Sequence, residues 1–118
     1  MRKLINHPHA QCGFNSDILM DCDSIFYSYE TPIFSIRREV SNDMIVNTFQ
    51  VINAPTFSIT TAKQTTWALL ECVYDFEHAR AIRKIMSKCG RGCVISYIRT
   101  ENNTRLYVNS ELIRVWDA

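Results

Sequence analysis

Glycine and proline are scarce, three of each in 118 residues. That scarcity excludes collagen-like and low-complexity chains and argues against disorder over most of the length. No stretch approaches the roughly 18 consecutive apolar residues of a membrane-spanning helix, so no membrane partner is expected. Met1-Arg2-Lys3-Leu4-Ile5-Asn6, followed by His7-Pro8-His9, lacks the apolar core of a secretory leader. The expectation is therefore a cytoplasmic protein with reduced cysteines. Neither sign of charge dominates. The formal net charge is +1, far from the basic excess of a general nucleic-acid binder. Glycine-rich phosphate loops and nucleophile-elbow serines are missing too. The close carboxylate pairs, Asp21/Asp23 and Asp75/Glu77, stand two apart and suggest no acid–base couple. Neither an enzyme nor a cofactor is expected.

What remains is an ordinary globular composition, 47% apolar and 21% charged. A chain of this length forms one domain, residues 1–118, and buries about two-thirds of its unfolded surface. Charge is uneven along it. Residues 1–60 hold four Lys/Arg against six Asp/Glu, and residues 61–118 hold nine against six. The second half is thus where a basic patch can form.

Residues 1–23 show no period and contain the turn-rich run Cys12-Gly13-Phe14-Asn15-Ser16-Asp17, so they read as an irregular arm with one short element near Ile18–Met20. Ser24–Glu30 alternates as a strand until Thr31-Pro32 interrupts it. Ile33–Val40 runs extended, with Phe34, Ile36 and Val40 on one face. Ser41-Asn42-Asp43 is a turn cluster. Met44–Ile52 is apolar on both faces, as a central strand should be. A short strand is expected over Thr56–Ile59.

Helical spacing begins at Thr61, where Thr61-Ala62-Lys63-Gln64 has the form of a capping box. Ala62, Thr66, Leu69, Leu70 and Val73 form an apolar stripe widened by Trp67 and Tyr74. Asp75 either caps a second helix or lets the first run on. Phe76, Ala79, Ile82, Ile85, Met86 and Cys89 continue the stripe, and Gly90 stops it. Cys93–Thr100 and Arg105–Asn109 make a hairpin about Asn102-Asn103, with Tyr97 facing Val108 and Ile98 facing Tyr107. Glu111–Trp116 continues after a kink at Asn109-Ser110. The fold class is α+β: an antiparallel sheet, a central segment of one or two helices and a C-terminal β-hairpin.

Tyr27, Tyr29, Thr31, Pro32 and Ile33, followed by Ser58, Thr60, Thr61 and Lys63, resemble a pattern in small bacteriophage proteins of unassigned function. In that pattern a tyrosine-rich strand ends in Thr-Pro-Ile, and a Ser-x-Thr-Thr-x-Lys stretch opens a helix. The resemblance covers about residues 25–70. Family members often carry a His near the position of Gln64, which this chain lacks. It implies a phage origin and leaves the chemistry open.

Two clusters carry ligating or redox side chains. His7, His9, Cys12 and Cys22 offer imidazoles and thiols for zinc, but without the paired spacing of structural zinc sites. An arm with exposed histidines and small buried cysteines is the favoured reading, so no metal is assigned. Cys89-Gly90-Arg91-Gly92-Cys93 sits at a helix end, whose partial negative charge disfavours a thiolate. A helix-to-strand connection with both cysteines packed inward is the better reading there.

The strongest surface signal is the basic set Arg80, Arg83, Lys84, Lys88 and Arg91. Positions 80, 84, 88 and 91 follow one helix face, opposite or beside the Ile82/Ile85/Met86 stripe. Such a ridge meets an acidic protein groove or phosphates. The expectation is a non-catalytic binding protein of phage origin that modulates or inhibits a host component, an anti-defence protein acting by surface occlusion. Its partner would be a host or phage protein. A small nucleic-acid-binding domain using the same helix face is the alternative.

Overall fold

The computed structural model describes residues 2–3, 11–56 and 58–117. The chain forms β1 (Arg2–Lys3), β2 (Cys12–Phe14), β3 (Asp23–Ser28), β4 (Thr31–Ser41) and β5 (Met44–Val51). Helices α1 (Ile59–Val73) and α2 (Phe76–Cys89) follow, then β6 (Val94–Arg99), β7 (Asn103–Val108) and β8 (Glu111–Asp117). All eight strands lie in one sheet in chain order, each antiparallel to the next. The α+β class is as expected, and β5 is central, flanked by β4 and β6.

Tight reversals make this meander. Asn42-Asp43 and Asn109-Ser110 are two-residue loops with positive φ at both positions, 26° and 65° in the first and 49° and 70° in the second. Such turns match the twist of the strands they join, and Asn and Asp tolerate them best. The expected kink at Asn109-Ser110 is thus a complete hairpin turn, and three strands close the chain where two were expected. The β6–β7 loop is Glu101-Asn102, one residue earlier than expected. Tyr97 therefore faces Leu106 and Ile98 faces Arg105. The slip is two residues, so each side chain keeps its predicted face.

One face of the sheet is sealed by both helices. Its rows run Phe14–Phe26–Phe34–Val51, then Ile36–Phe49–Ile95. Phe34 lies 5.3 Å from Phe26, 5.6 Å from Phe49 and 6.1 Å from Phe14, ring centre to ring centre. Leu69, Cys72, Ala79, Ile82 and Met86 complete the core from the helices. The supposed arm contributes to this core: Cys12 and Phe14 are fully buried on β2, which pairs with β3. Near Ile18–Met20 no strand forms: Ile18 packs against the edge of the core and Met20 makes a single bridge to Arg38. Val40, expected inside, is half exposed near the tip of the β4–β5 hairpin.

The helix starts earlier than expected, and among the described residues of 56–59 none lies in a strand. Ser58 is the cap, its Oγ accepting from the Thr61 amide at 3.0 Å, and Ile59 already lies in α1. Thr61 therefore points inward. Ser28 Oγ on β3 lies 3.0 Å from Thr61 Oγ1 and donates to Gln64 Oε1 at 2.6 Å, all three residues fully buried. The α1–α2 corner is one left-handed residue, Tyr74 (φ 57°), and the Asp75 side chain caps α2 by accepting from the His78 amide.

Two substitutions test this account by denaturant midpoints. Phe34→Ala should lower stability by about 3–5 kcal/mol, since it empties the centre of the ring cluster. Ser28→Ala should cost about 1–3 kcal/mol, because it strands the buried Gln64 oxygen without its donor.

Candidate functional site

The inward turn of Thr61, Gln64, Thr65, Ala68 and Cys72 fixes which residues of α1 face out. Ile59, Lys63 and Trp67 stand at i, i+4 and i+8 and share the outer side; Ile59 is 78% exposed and Trp67 37%. On α2 the buried residues are Ala79, Ile82 and Met86. Phe76, Arg80, Lys84 and Lys88 follow one another at four-residue steps on the exposed side. Trp67, Tyr74, Phe76 and Cys89, all expected in the core stripe, are exposed.

The basic ridge is accordingly outward-facing over α2. Arg80, Lys84 and Lys88 are exposed and Arg83 is half-buried. Arg91 is exposed but lies past the end of α2, in the turn to β6, so it does not belong to the helix face. Among the described residues, none of these five side chains forms an ion pair. The nearby acids on α2 have other partners: Asp75 caps the helix, and Glu77 accepts from Arg114 at 3.0 Å.

Beside this ridge the two helices enclose an open groove of about 370 Å³, with Ile59, Lys63 and Trp67 on one wall and Phe76, Arg80 and Arg83 on the other. The Arg80 guanidinium sits 5.9 Å from the Phe76 ring centre, a cation–π contact. Arg83 Nε is shut off from solvent and has no acceptor among the described residues. Sequence reading missed the apolar half of this surface because helical spacing placed Trp67 and Phe76 in the core. Its one available signal was the polar run Thr61, Gln64, Thr65: if those residues find buried partners, the helix rolls and Trp67 emerges.

The ligating clusters look different. His7 and His9 lie outside the described residues. Cys12 is enclosed in the core, where burial raises its thiol to about 11, and Cys22 is exposed. Among the described residues no three His, Cys, Asp or Glu side chains gather as a metal would require. In the second cluster Cys93 is buried, which raises its thiol to about 11, with the neighbouring Cys89 adding to the shift. Cys89 is exposed, so only one of the two packs inward. A thiol raised so far is a weak nucleophile at neutral pH.

A third inner row, Arg38–Asn47–Tyr97–Leu106–Arg114, carries polar groups beneath the helix corner. Arg38 donates to Asn47 Oδ1 at 2.8 Å and to the Cys72 carbonyl at 2.9 Å, placing a cation at the negative end of α1. His78 Nδ1 lies 2.7 Å from Tyr97 Oη, and its ring stacks on Trp116 at 3.9 Å. Burial lowers the His78 pKa below its ordinary 6.5, against the upward pull of Asp75 and Glu77.

Set against protein-family models, curated proteins and solved structures, the chain matches none of them.

The His78 arrangement predicts a sign. Its imidazole binds a proton less readily when folded than unfolded, so stability is greatest above pH 6.5 and declines as pH falls below 6.5 toward the lowered folded value. Melting temperatures measured from pH 7.5 to 5.5 should fall, and the slope should flatten in His78→Phe, which keeps a ring on Trp116 but cannot titrate.

Proposed function

We propose that this protein is a non-catalytic binding protein that acts by covering a surface of a protein partner, with Arg80, Arg83, Lys84, Lys88 and Arg91 in the contact. In the setting that the phage resemblance implies, the partner is a host component and the outcome is inhibition or modulation, defence systems included. One observation supports the reading: the outer side of α2 holds cations that pair with no acid among the described residues, beside the exposed Trp67 and Phe76. Charges of this kind steer encounter and select partners, while buried aromatic and arginine anchors supply most of the affinity. A binding surface needs both, and here they adjoin. The strongly shifted thiols of Cys12 and Cys93 favour packing over chemistry, which also suits a binder.

The test is a comparative capture from bacterial lysate with the wild type and with Arg80→Glu/Lys84→Glu/Lys88→Glu. One specific protein retained by the wild type and lost by the variant is the expected result. Identical captures would remove the ridge from the contact. Oligonucleotide binding that weakens steeply between about 50 and 200 mM salt would replace the reading with the nucleic-acid alternative.

A further inference from the structure

We propose that the groove between α1 and α2 docks an acidic segment of the protein partner, seating a bulky apolar side chain between Trp67 and Phe76 and carboxylates against Lys63, Arg80 and Arg83. The inference rests on the binding reading above and names the chemistry of the ligand.

The walls are complementary in kind. From α1 come an aliphatic, a cation and an aromatic at successive four-residue steps: Ile59, Lys63 and Trp67. From α2 come the mirror elements, Phe76 and Arg80, with Arg83 one turn further along. The apolar members are unusually exposed for their size, 78% for Ile59, 54% for Phe76 and 37% for Trp67. Apolar groups clustered this way mark an interaction site more often than scattered single residues do. A volume of about 370 Å³ takes one or two large side chains and leaves the backbone of the segment at the rim.

Charge decides the sign of the occupant. Among the described residues Lys63, Arg80 and Arg83 have no acidic partner, and no acid lines the groove. Arg83 is the sharpest case, since its Nε–H is already stripped of water and unsatisfied. A guanidinium held half-dry gains more from a carboxylate than an exposed one does, because its desolvation has already been met by folding. A peptide is favoured over a nucleic-acid strand by Ile59, an aliphatic wall residue that offers a base no stacking face. Arg80 already occupies one side of the Phe76 ring as well.

The experiment selects from a random displayed peptide library against the full chain. Binding is then measured by fluorescence in Trp116→Phe, which leaves Trp67 as the only tryptophan. Enriched peptides should pair Asp or Glu with a large apolar residue, perturb Trp67, and lose at least tenfold in affinity in Phe76→Ser and in Arg83→Gln. Phe76 is exposed at the start of α2, so Phe76→Ser should keep the wild-type circular dichroism. Should it not, Lys63→Glu on the outer side of α1 serves in its place with the same expected loss. No enrichment, enriched peptides without acidic residues, or affinity unchanged in these variants would each overturn the proposal. So would a 20-mer oligonucleotide that binds the groove more tightly than every selected peptide. The lysate capture separates the two levels. Loss in Lys84→Glu/Lys88→Glu with retention in Phe76→Ser sinks the groove but keeps the ridge, whereas retention in every variant sinks both.

Discussion

The chain of hydroxyl contacts from Ser58 through Thr61 and Ser28 to Gln64 sets the roll of α1 about its own axis, and the outer surface of the protein depends on that roll. A helix packed through aliphatic residues alone can rotate by a fraction of a turn at small cost, because packing tolerates repacking. Buried hydrogen bonds do not allow that freedom. Rolling Thr61 and Gln64 outward together would leave the Ser28 hydroxyl enclosed on β3 without either side-chain partner, a penalty of about 1–3 kcal/mol. The bonded geometry therefore fixes Thr61 and Gln64 against the sheet and sends Ile59, Lys63 and Trp67 to the opposite side. A polar constraint in the core thereby determines which apolar residues appear outside it.

The sheet makes this arrangement reachable. Every strand pairs with its sequence neighbour, and only the α1–α2 excursion separates β5 from β6. Contacts are thus mostly local along the chain, which keeps loop-closure costs small. The excursion is tied at both ends. Ser58 caps α1 as it leaves, and at its return the Gly92 amide donates to the Val51 carbonyl at 2.8 Å, with Gly92 at φ 85°. Arg38 fastens the corner between the helices to β4 through the Cys72 carbonyl. Both helix axes are positioned by polar contacts to the strands, and the phenylalanine cluster then fills the space between.

Much of this was legible in the amino-acid order. Phe26/Phe34/Phe49 alternation, the Asn42-Asp43 turn and the Gly90 stop all express local rules that tertiary context did not override, and of the two readings left open at Asp75 the helix cap is the one observed. The failures on the helices share one cause. Period-based reading assigns Thr and Gln to solvent and Trp and Phe to the core, so it rotated α1 away from its true face and buried Trp67 and Phe76. It likewise could not foresee that Cys12 and Phe14 pair as β2, because three residues carry too little period to register. The reversal at Asn109-Ser110 escaped because neither residue is glycine, although Asn at positive φ is a sufficient turn former. The basic face of α2 was the easiest feature to read, since Arg80, Lys84 and Lys88 recur at the helical step and Ile82 and Met86 mark the opposite side.

Position along the surface gives these cations different physical roles. Lys84, Lys88 and Arg91 are exposed, so at about 0.15 M salt their influence fades beyond roughly 8 Å and they act mainly on approach. Arg83 is partly withdrawn from water between the helices, where screening is weaker and a charge-assisted hydrogen bond is stronger. On the proposed binding role, a partner would meet a graded field: solvated lysines toward the far end of α2, then arginines next to the aromatic rings of the groove. Under that proposal the gradient would couple rate to orientation, since exposed charges steer encounter with little specificity while a groove between Trp67 and Phe76 would select the side chain that fits.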